Sequence, residues 1–462
     1  MSLHIIILAA GQGKRMHSAL SKVLHPIGGQ PMLERVVETA VCLKPEAIHV
    51  IFGHGGDQLK RALPDLPVNW VHQAEQLGTG HAVMQALPHI PSTSQVLVLS
   101  ADVPLIQVDT LQALINICKP TRSLGLLVAT MVDPFGLGRI VRNERDEIYA
   151  IVEEKDASEQ QRQIKEIYSG ICCAPAADLK QWLPTLSCSN AQGEYYLTEI
   201  IAMAVADRLP VVSLLAADCM EIQGVNNRVQ LQQLERVWQT RIATKLMHAG
   251  VTLADAARID VRGELQCGMD VFIDVNTVFA GHVVIGNGCH IGPNCVLTNV
   301  TLGDHCEIFA NSVLNDCSME NDCHVGPFAR IRPGTVLASG CKIGNFVETK
   351  NAVFGEGSKA SHLSYLGDVI LGKQVNIGAG TITCNYDGVN KHKTVIKDGA
   401  FIGSDTQLIA PVTVGENATI GAGSTLRKDA PAGELTLTES RQKTVYGWKR
   451  PEKKALITDR EA

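Results

Sequence analysis

Residues 401–426 read FIGSDTQLIAPVTVGENATIGAGSTL. Ile402, Leu408, Val414, Ile420 and Leu426 fall six apart at every step, and Gly403, Gly415 and Gly421 follow three of them. A helix repeats at 3.6 residues and a strand at two, so neither keeps a strict six. A hexapeptide coil does: each of three short faces turns one aliphatic side chain inward, and a small residue takes the corner. The same step recurs at Ile285 and Ile291, at Leu302 and Ile308, at Val325, Ile331, Leu337 and Ile343, and at Leu371 and Ile377. The pattern predicts a parallel β-helix from about residue 251. Its register breaks at about 355–366 and 383–398. Those breaks predict that 357–362 and 384–388 project as loops, where a rigid scaffold commonly carries a site.

A narrow prism accounts for two unusual counts in the 462 residues. Aromatic residues make up only 4%, and glycine is uneven, with 16 up to residue 250 and 25 in the shorter remainder. Apolar residues at 45% and charged residues at 19% are ordinary for a soluble globular chain. The net charge of −6 argues against a nucleic-acid binder. No apolar run approaches the ~20 residues of a membrane span. The 14 cysteines include no CxxC pair and read as small buried hydrophobes in a reducing compartment.

The first half is built differently. Residues 5–10 form an apolar run suited to a strand buried on both faces rather than to a signal region. A helix is expected at 32–43, strands at 48–52 and 69–72, helices at 58–63 and 81–86, and a strand at 96–100. That alternation predicts an α/β fold with a largely parallel sheet, whose chemistry sits in the loops after Ala10 and Ser100. Leu231, Leu234, Trp238, Ile242 and Leu246 mark one amphipathic helix over 228–248, ended by Gly250. It is either a connector or the last helix of the first domain.

Leu8-Ala9-Ala10-Gly11-Gln12-Gly13-Lys14-Arg15-Met16 follows the first strand. Its glycines let backbone N–H groups face an anion, and Arg15 and Lys22 add charge. A lone G-x-G is weak evidence. The larger set comprises Ser21-Lys22-Val23-Leu24, Gln76-Leu77-Gly78-Thr79-Gly80-His81-Ala82, Ser100-Ala101-Asp102-Val103-Pro104-Leu105 and Glu221 through Arg228. With the repeats behind it, this set resembles the bacterial bifunctional N-acetylglucosamine-1-phosphate uridyltransferase/glucosamine-1-phosphate acetyltransferases over nearly the whole chain. The resemblance implies a Rossmann-like uridyltransferase domain over 1–227, a linker helix over 228–250, a left-handed β-helix over 251–436 and a tail over 437–462. The basic stretch from Trp448 to Lys454 either reaches a coenzyme A phosphate or is a solvated end, and the second reading is preferred.

For the first reaction the resemblance implies that UTP and N-acetylglucosamine 1-phosphate meet at Leu8, Ala9, Ala10, Gly11, Gly13, Ser100 and Ala101. Asp102 and Asn226 would hold Mg²⁺, and Arg15 and Lys22 would neutralise the triphosphate. Gln73, Gly78 and Thr79 would read uracil, and Gly138, Glu153 and Tyr168 would face the sugar. The sequence departs from the family pattern at Lys14, Ala101 and Tyr168, and a tyrosine cannot supply an amide's paired donor and acceptor.

For the second reaction acetyl-CoA would donate to glucosamine 1-phosphate. The attacking amine must lose a proton near neutral pH, which suits histidine. His362 is assigned as that base, with Glu348 as an orienting carboxylate. Arg332 and Lys350 would bind the sugar phosphate, and Tyr365, Asn376 and Asn385 the sugar. Ala379, Tyr386, Ser404, Ala422 and Arg441 would line the acetyl-CoA groove. A homotrimer in the bacterial cytoplasm is expected, without nucleic-acid or membrane partners. Two rivals stand beside this reading: a single-activity sugar-1-phosphate nucleotidyltransferase with a regulatory or trimerising β-helix, and a scaffold with both sites dead.

Overall fold

The strand Leu3–Leu8 lies at the middle of the first sheet because both its faces are apolar. Ile5 and Ile7 point into one core with Val50, Leu97 and Leu99. Ile6 points into the opposite core with Ile51, Val96 and Val98. This is the alternation of a strand covered on both sides. The computed structural model describes residues 2–11, 13–53, 55–120, 122–439 and 441–451. Gln12 of the first loop, Ser440 of the tail and the Glu452-Lys453-Lys454 part of the basic stretch lie outside the described residues.

Two compact units divide the chain. One runs to Gly288 and takes in Val296–Asn299; the other comprises Cys289–Cys295 and continues from Val300. The first unit therefore holds the α/β layers, the long helix and the first repeat strands.

In the first unit the sheet order is Val211–Leu215, Leu124–Thr130, Glu166–Pro175, Gln95–Ser100, Leu3–Leu8, Ala47–Phe52, Asn69–His72. All pairings along it are parallel except those of Glu166–Pro175, which runs antiparallel to both neighbours. A hairpin of Arg139–Arg142 and Ile148–Val152 extends from it. Leu8 and Ser100 are in register at the carboxyl ends, and Ala101 N donates to Leu8 O at 3.0 Å. The two loops expected to carry chemistry therefore leave the sheet side by side.

The long helix spans Arg228–His248, with the Asn227 side chain accepting from Gln230 N as its cap. It packs within this unit, where Arg241 bonds Leu105 O and Asp218 at 3.1 and 2.8 Å. Its buried face is only partly the expected aliphatic stripe. Leu234, Ala243 and Leu246 are buried, but so is Gln239. The Gln239 amide donates to Val261 O and accepts from Val261 N, each at 2.8 Å, which satisfies the buried amide. Trp238 lies under the Arg35 guanidinium, 3.7 Å from the ring centroid.

The second unit is a stack of short parallel strands. One ladder runs His290–Ile291, Glu307–Ile308, His324–Val325, Lys342–Asn345, Lys359–His362, Asn376–Ile377, Phe401–Ile402, Thr419–Ile420 and Leu435–Thr436. Ile308, Val325, Ile331, Leu337, Ile343, Ile402 and Ile420 are buried, as the period of six requires. Cys289, Cys306, Cys323 and Cys341 stack inside, each thiol donating to a backbone carbonyl at 3.1–3.2 Å. All 14 cysteines are free, and nine are buried, six of them in the repeats, so the apolar reading of the repeat-region thiols holds.

One expected loop is absent. Residues 357–362 do not project: Lys359–His362 is a rung of the ladder, paired with Lys342–Asn345 and Asn376–Ile377. The ladder steps by 17 residues from Lys342 to Lys359 and again to Asn376, one fewer than the 18 from Phe401 to Thr419. A corner one residue shorter shifts the hexapeptide register without any protrusion. The second expected loop is real, since the step from Asn376 to Phe401 is 25 residues. The excess lies between Ile382–Cys384 and Thr394–Ile396.

Two candidate active sites

The first site gathers at the carboxyl ends of Leu3–Leu8 and Gln95–Ser100. Asp102 Oδ2 accepts from Lys22 Nζ at 2.5 Å, and its Oδ1 accepts from Ser100 Oγ at 2.6 Å. The Asp102 carbonyl accepts from Val225 N at 2.8 Å, which draws 224–226 alongside. Arg15 then donates to Asn226 Oδ1 at 2.9 Å. Gly13 has φ +60°, and a Cβ there would stand 2.7 Å from Lys22 Cβ. A side chain at this corner is disfavoured by backbone and by space. Leu8 and Ala10 are half-buried, Ala9 is buried and Gly11 is exposed, so the backbone of 8–11 lines the same end of the sheet.

The donor set suits a hard divalent cation. Asp102 and Asn226 offer side-chain oxygens, each already held by a cationic side chain. Two protein ligands leave the remaining positions to phosphate oxygens and water, as magnesium prefers. Among the described residues no cluster of three His, Cys, Asp or Glu forms a fuller protein cage.

The expected uracil readers are tied into their own loop. Gln73 is buried, its Nε2 lying 3.2 Å from Gly78 O and 3.1 Å from His81 Nδ1. Gly78 has φ +112°, and a Cβ there would meet Tyr195 O at 2.6 Å. Thr79 Oγ1 accepts from Leu197 N at 3.1 Å. On the sugar side Glu153 accepts from Thr198 Oγ1 at 3.1 Å, and burial holds its carboxyl above the usual range. Gly138 lies beside it, and a Cβ there would stand 3.0 Å from Ile151 Cγ2 and 3.6 Å from Glu153 Oε2. Tyr168 falls on the other side of this picture. Its ring is buried in the apolar core with Val128, Ile140 and Cys172, so what it turns toward Gly138 is its backbone N–H, 2.9 Å from Gly138 O. An aromatic ring is stable there and an exposed sugar contact is not.

The second site lies on the prism. His362 ends the rung Lys359–His362, exposed, with Nδ1 2.9 Å from Asn345 Oδ1. Glu348 is not its partner. That carboxylate belongs to the other ladder, opposite Tyr365, and binds Arg332 at 2.6 Å. The side chain beside His362 is therefore Asn345, and Glu348 is an Arg332 anchor. Lys350 is held below the usual lysine range chiefly by Lys391 and then by Arg332, so three cations crowd one place. Such a cluster seeks an anion.

Asp368 organises the sugar side. It is buried and accepts from Asn385 Nδ2 at 2.5 Å and from Asn351 Nδ2 at 2.6 Å. Gly367 keeps the space beside it open, because a Cβ there would stand 2.5 Å from the Tyr365 hydroxyl and 2.8 Å from Asn385 Nδ2. Asn376 opens the rung next to Lys359. Ala379 and Ser404 lie on successive coils, with Asp405 N donating to Ala379 O at 2.7 Å and Gly423 N to Ser404 O at 2.8 Å. Ala422 is the neighbour in that line, since a Cβ on Gly403 would meet Ala422 N at 2.5 Å. Tyr386 is exposed in the long loop and donates to Gly388 O at 2.5 Å. Arg441 is exposed, and no hydrogen bond or ion pair joins it to these residues among the described ones.

Residues 5–176 match the MobA-like NTP transferase domain, and residues 266–299 and 393–428 match the bacterial transferase hexapeptide (six repeats). A bifunctional protein GlmU of Legionella pneumophila is 70% identical over 98% of this chain and 99% of its own. The chain belongs to the GlmU family. Further GlmU proteins, from Marinobacter nauticus and Stutzerimonas stutzeri, are 57% and 55% identical over 98% of the chain and cover 99% and 100% of their own. In this GlmU-family chain, sequence reasoning did not single out Asn345, Asp368, Lys391 or Thr198. Asn345 and Asp368 carry no signal of their own in the six-residue pattern, and only the rung pairing shows what each touches. Lys391 lies in the long loop that the second register break marks, but the break does not report which loop residue approaches Lys350.

Proposed function

We propose that the chain makes UDP-N-acetylglucosamine in two reactions, one in each unit. In the second unit, acetyl-CoA acetylates glucosamine 1-phosphate. Arg332, Lys350 and Lys391 hold the sugar phosphate, and Tyr365, Asn376 and Asn385 hold the sugar. His362 takes a proton from the amine as nitrogen attacks the thioester carbonyl. The C–S bond then breaks and coenzyme A leaves as the thiol. Ala379, Tyr386, Ser404 and Ala422 line the coenzyme groove, and Arg441 joins them from the tail.

In the first unit, the phosphate oxygen of N-acetylglucosamine 1-phosphate attacks the α-phosphorus of UTP and pyrophosphate departs. Two anions must approach, so positive charge and backbone dipoles carry the rate. Lys22, Arg15 and the 8–13 backbone bind the triphosphate, while the Gln73–Thr79 loop holds uracil. Gly138 and Glu153 position the sugar, with Thr198 fixing the carboxylate. Magnesium on Asp102 and Asn226, when bound, supplies further neutralisation of the phosphates.

The observation that carries the two-reaction reading is His362 with its Asn345 partner on the unit that also holds the Arg332, Lys350 and Lys391 cluster. A β-helix that only regulates or trimerises needs none of these. We also propose a left-handed prism, a homotrimer and a cytoplasmic enzyme, with a functional division at 1–227, 228–250, 251–436 and 437–462. Among the described residues no helix is long and apolar enough to cross a membrane. The test is a two-part assay on the purified chain. Thiol release from acetyl-CoA is expected with glucosamine 1-phosphate and none with glucosamine 6-phosphate. UTP-dependent pyrophosphate release is expected with N-acetylglucosamine 1-phosphate. Absence of the first with retention of the second would establish the single-activity rival.

A further inference from the structure

A histidine serves as a base only through a ring nitrogen without a proton, and its other nitrogen decides which one that is. His362 makes one side-chain contact on its ring: Nδ1 lies 2.9 Å from Asn345 Oδ1. We propose that Asn345 is the positioning residue of the acetyl-transfer site. It accepts the Nδ1 proton and leaves Nε2 as the nitrogen that takes the proton from the substrate amine. The inference rests on the acetyl-transfer reading of His362.

The backbone holds the pair at contact distance. Asn345 and His362 are register partners on adjacent rungs. Asn345 O accepts from Leu363 N at 3.1 Å, and Ser364 Oγ donates to His362 O at 2.9 Å. One residue earlier, Gly344 faces Ser361 so closely that a Cβ would stand 1.8 Å from Ser361 O. The glycine before Asn345 thus brings the two rungs together where the side chains must meet.

The choice of an amide over a carboxylate has a consequence. A carboxylate beside the ring would stabilise the imidazolium and raise the base out of the neutral range. A neutral acceptor fixes the tautomer without adding that charge. The carboxylates of the neighbouring ladder are engaged elsewhere, Glu348 with Arg332 and Asp368 with Asn351 and Asn385. On the rungs packed against His362 the titratable groups are Lys342 and Lys359, register partners of each other three residues along from Asn345 and His362.

The test compares pH profiles of kcat for acetyl transfer in the full chain, with glucosamine 1-phosphate and acetyl-CoA saturating. Asn345→Asp is expected to move the acidic limb upward by about one pH unit. Asn345→Ala is expected to lower kcat about 10- to 100-fold, with KM for the sugar phosphate within about twofold. Circular dichroism and the thermal melt of the β-helix unit report that each variant is folded, and uridylyl transfer is expected unchanged. An unmoved limb in Asn345→Asp, or a kcat for Asn345→Ala within about twofold of the parent, would overturn the proposal. So would parallel losses in kcat and KM without a pH shift, because those mark a merely structural role. Retention of acetyl transfer in His362→Ala would instead remove the reading on which the proposal rests.

Discussion

Asp102 and Asp368 are both short carboxylates, one just after the strand Gln95–Ser100 and one within the strand Tyr365–Leu371, and only their neighbours separate their roles. Asp102 faces Lys22 and Ser100 at an open sheet end; Asp368 is buried between two amides. Asp102→Ala is expected to cut UTP-dependent pyrophosphate release at least ~100-fold while acetyl transfer persists, which parallel assays of both reactions would show. Asp368→Asn keeps the shape but sets a third amide against Asn351 and Asn385, so some of their hydrogens lose a partner. Acetyl transfer is expected to fall about tenfold, and the urea midpoint to drop by the equivalent of ~1–3 kcal/mol. Unchanged KM for glucosamine 1-phosphate and unchanged stability would contradict it. At this scale the sequence was legible where a motif carried the residue, as with Arg15, Lys22, Asp102, Asn226 and His362. It was not legible where the partner sits 17 residues away on another rung, as with Asn345, or where a ring's direction matters, as with Tyr168.

The elements follow from period and punctuation. The six-residue step located the prism, and the capped, three-to-four-step pattern located Arg228–His248. The false loop at 357–362 shows the limit: a register break reports a changed coil length but not its sign. A residue lost at a corner and a loop inserted interrupt the aliphatic series alike. Gly344→Ala tests the tight rung that results. Backbone of Ser361 stands in the way, so the rungs must part, and acetyl transfer is expected to fall more than uridylyl transfer. A second element-scale prediction concerns the amino ends of the strands Leu3–Leu8 and Ala47–Phe52. His49 is buried there, with His4 Nδ1 3.3 Å from its Nε2 and the His89 ring stacked beyond it. Burial, then His4 and His89, lowers its pKa from 6.5 to about 4. Glu46 stands 3.9 Å from His4 on the outer side. The shift makes the unfolded chain bind a proton first as pH falls below 6.5. Stability is therefore fully present above that value and is lost progressively toward pH 4, by about 2–3 kcal/mol. Urea midpoints at pH 7.5 and 5 should fall further in the parent than in His49→Gln; equal falls would contradict the assignment.

At the scale of the molecule, the uneven glycine and the scarcity of aromatics mark two kinds of core. One is a sheet covered on both faces, and the other is a narrow coil filled mostly by Ile, Val, Leu and small thiols, with Phe279 and Phe354 as its buried rings. Both fold classes were legible because each has its own period. The compact division near Gly288 was not, since the first repeats obey the same six-residue pattern as the rest. The proposed function assigns one reaction to each unit. The most direct measurement of that claim is a complementation assay that starts from glucosamine 1-phosphate, acetyl-CoA and UTP with magnesium. Asp102→Ala alone and His362→Ala alone should each form no UDP-N-acetylglucosamine. An equimolar mixture of the two should form it, because the acetylated sugar phosphate diffuses from one variant to the other. Product from either variant alone, or none from the mixture while the parent is active, would contradict the assignment of one reaction to each half.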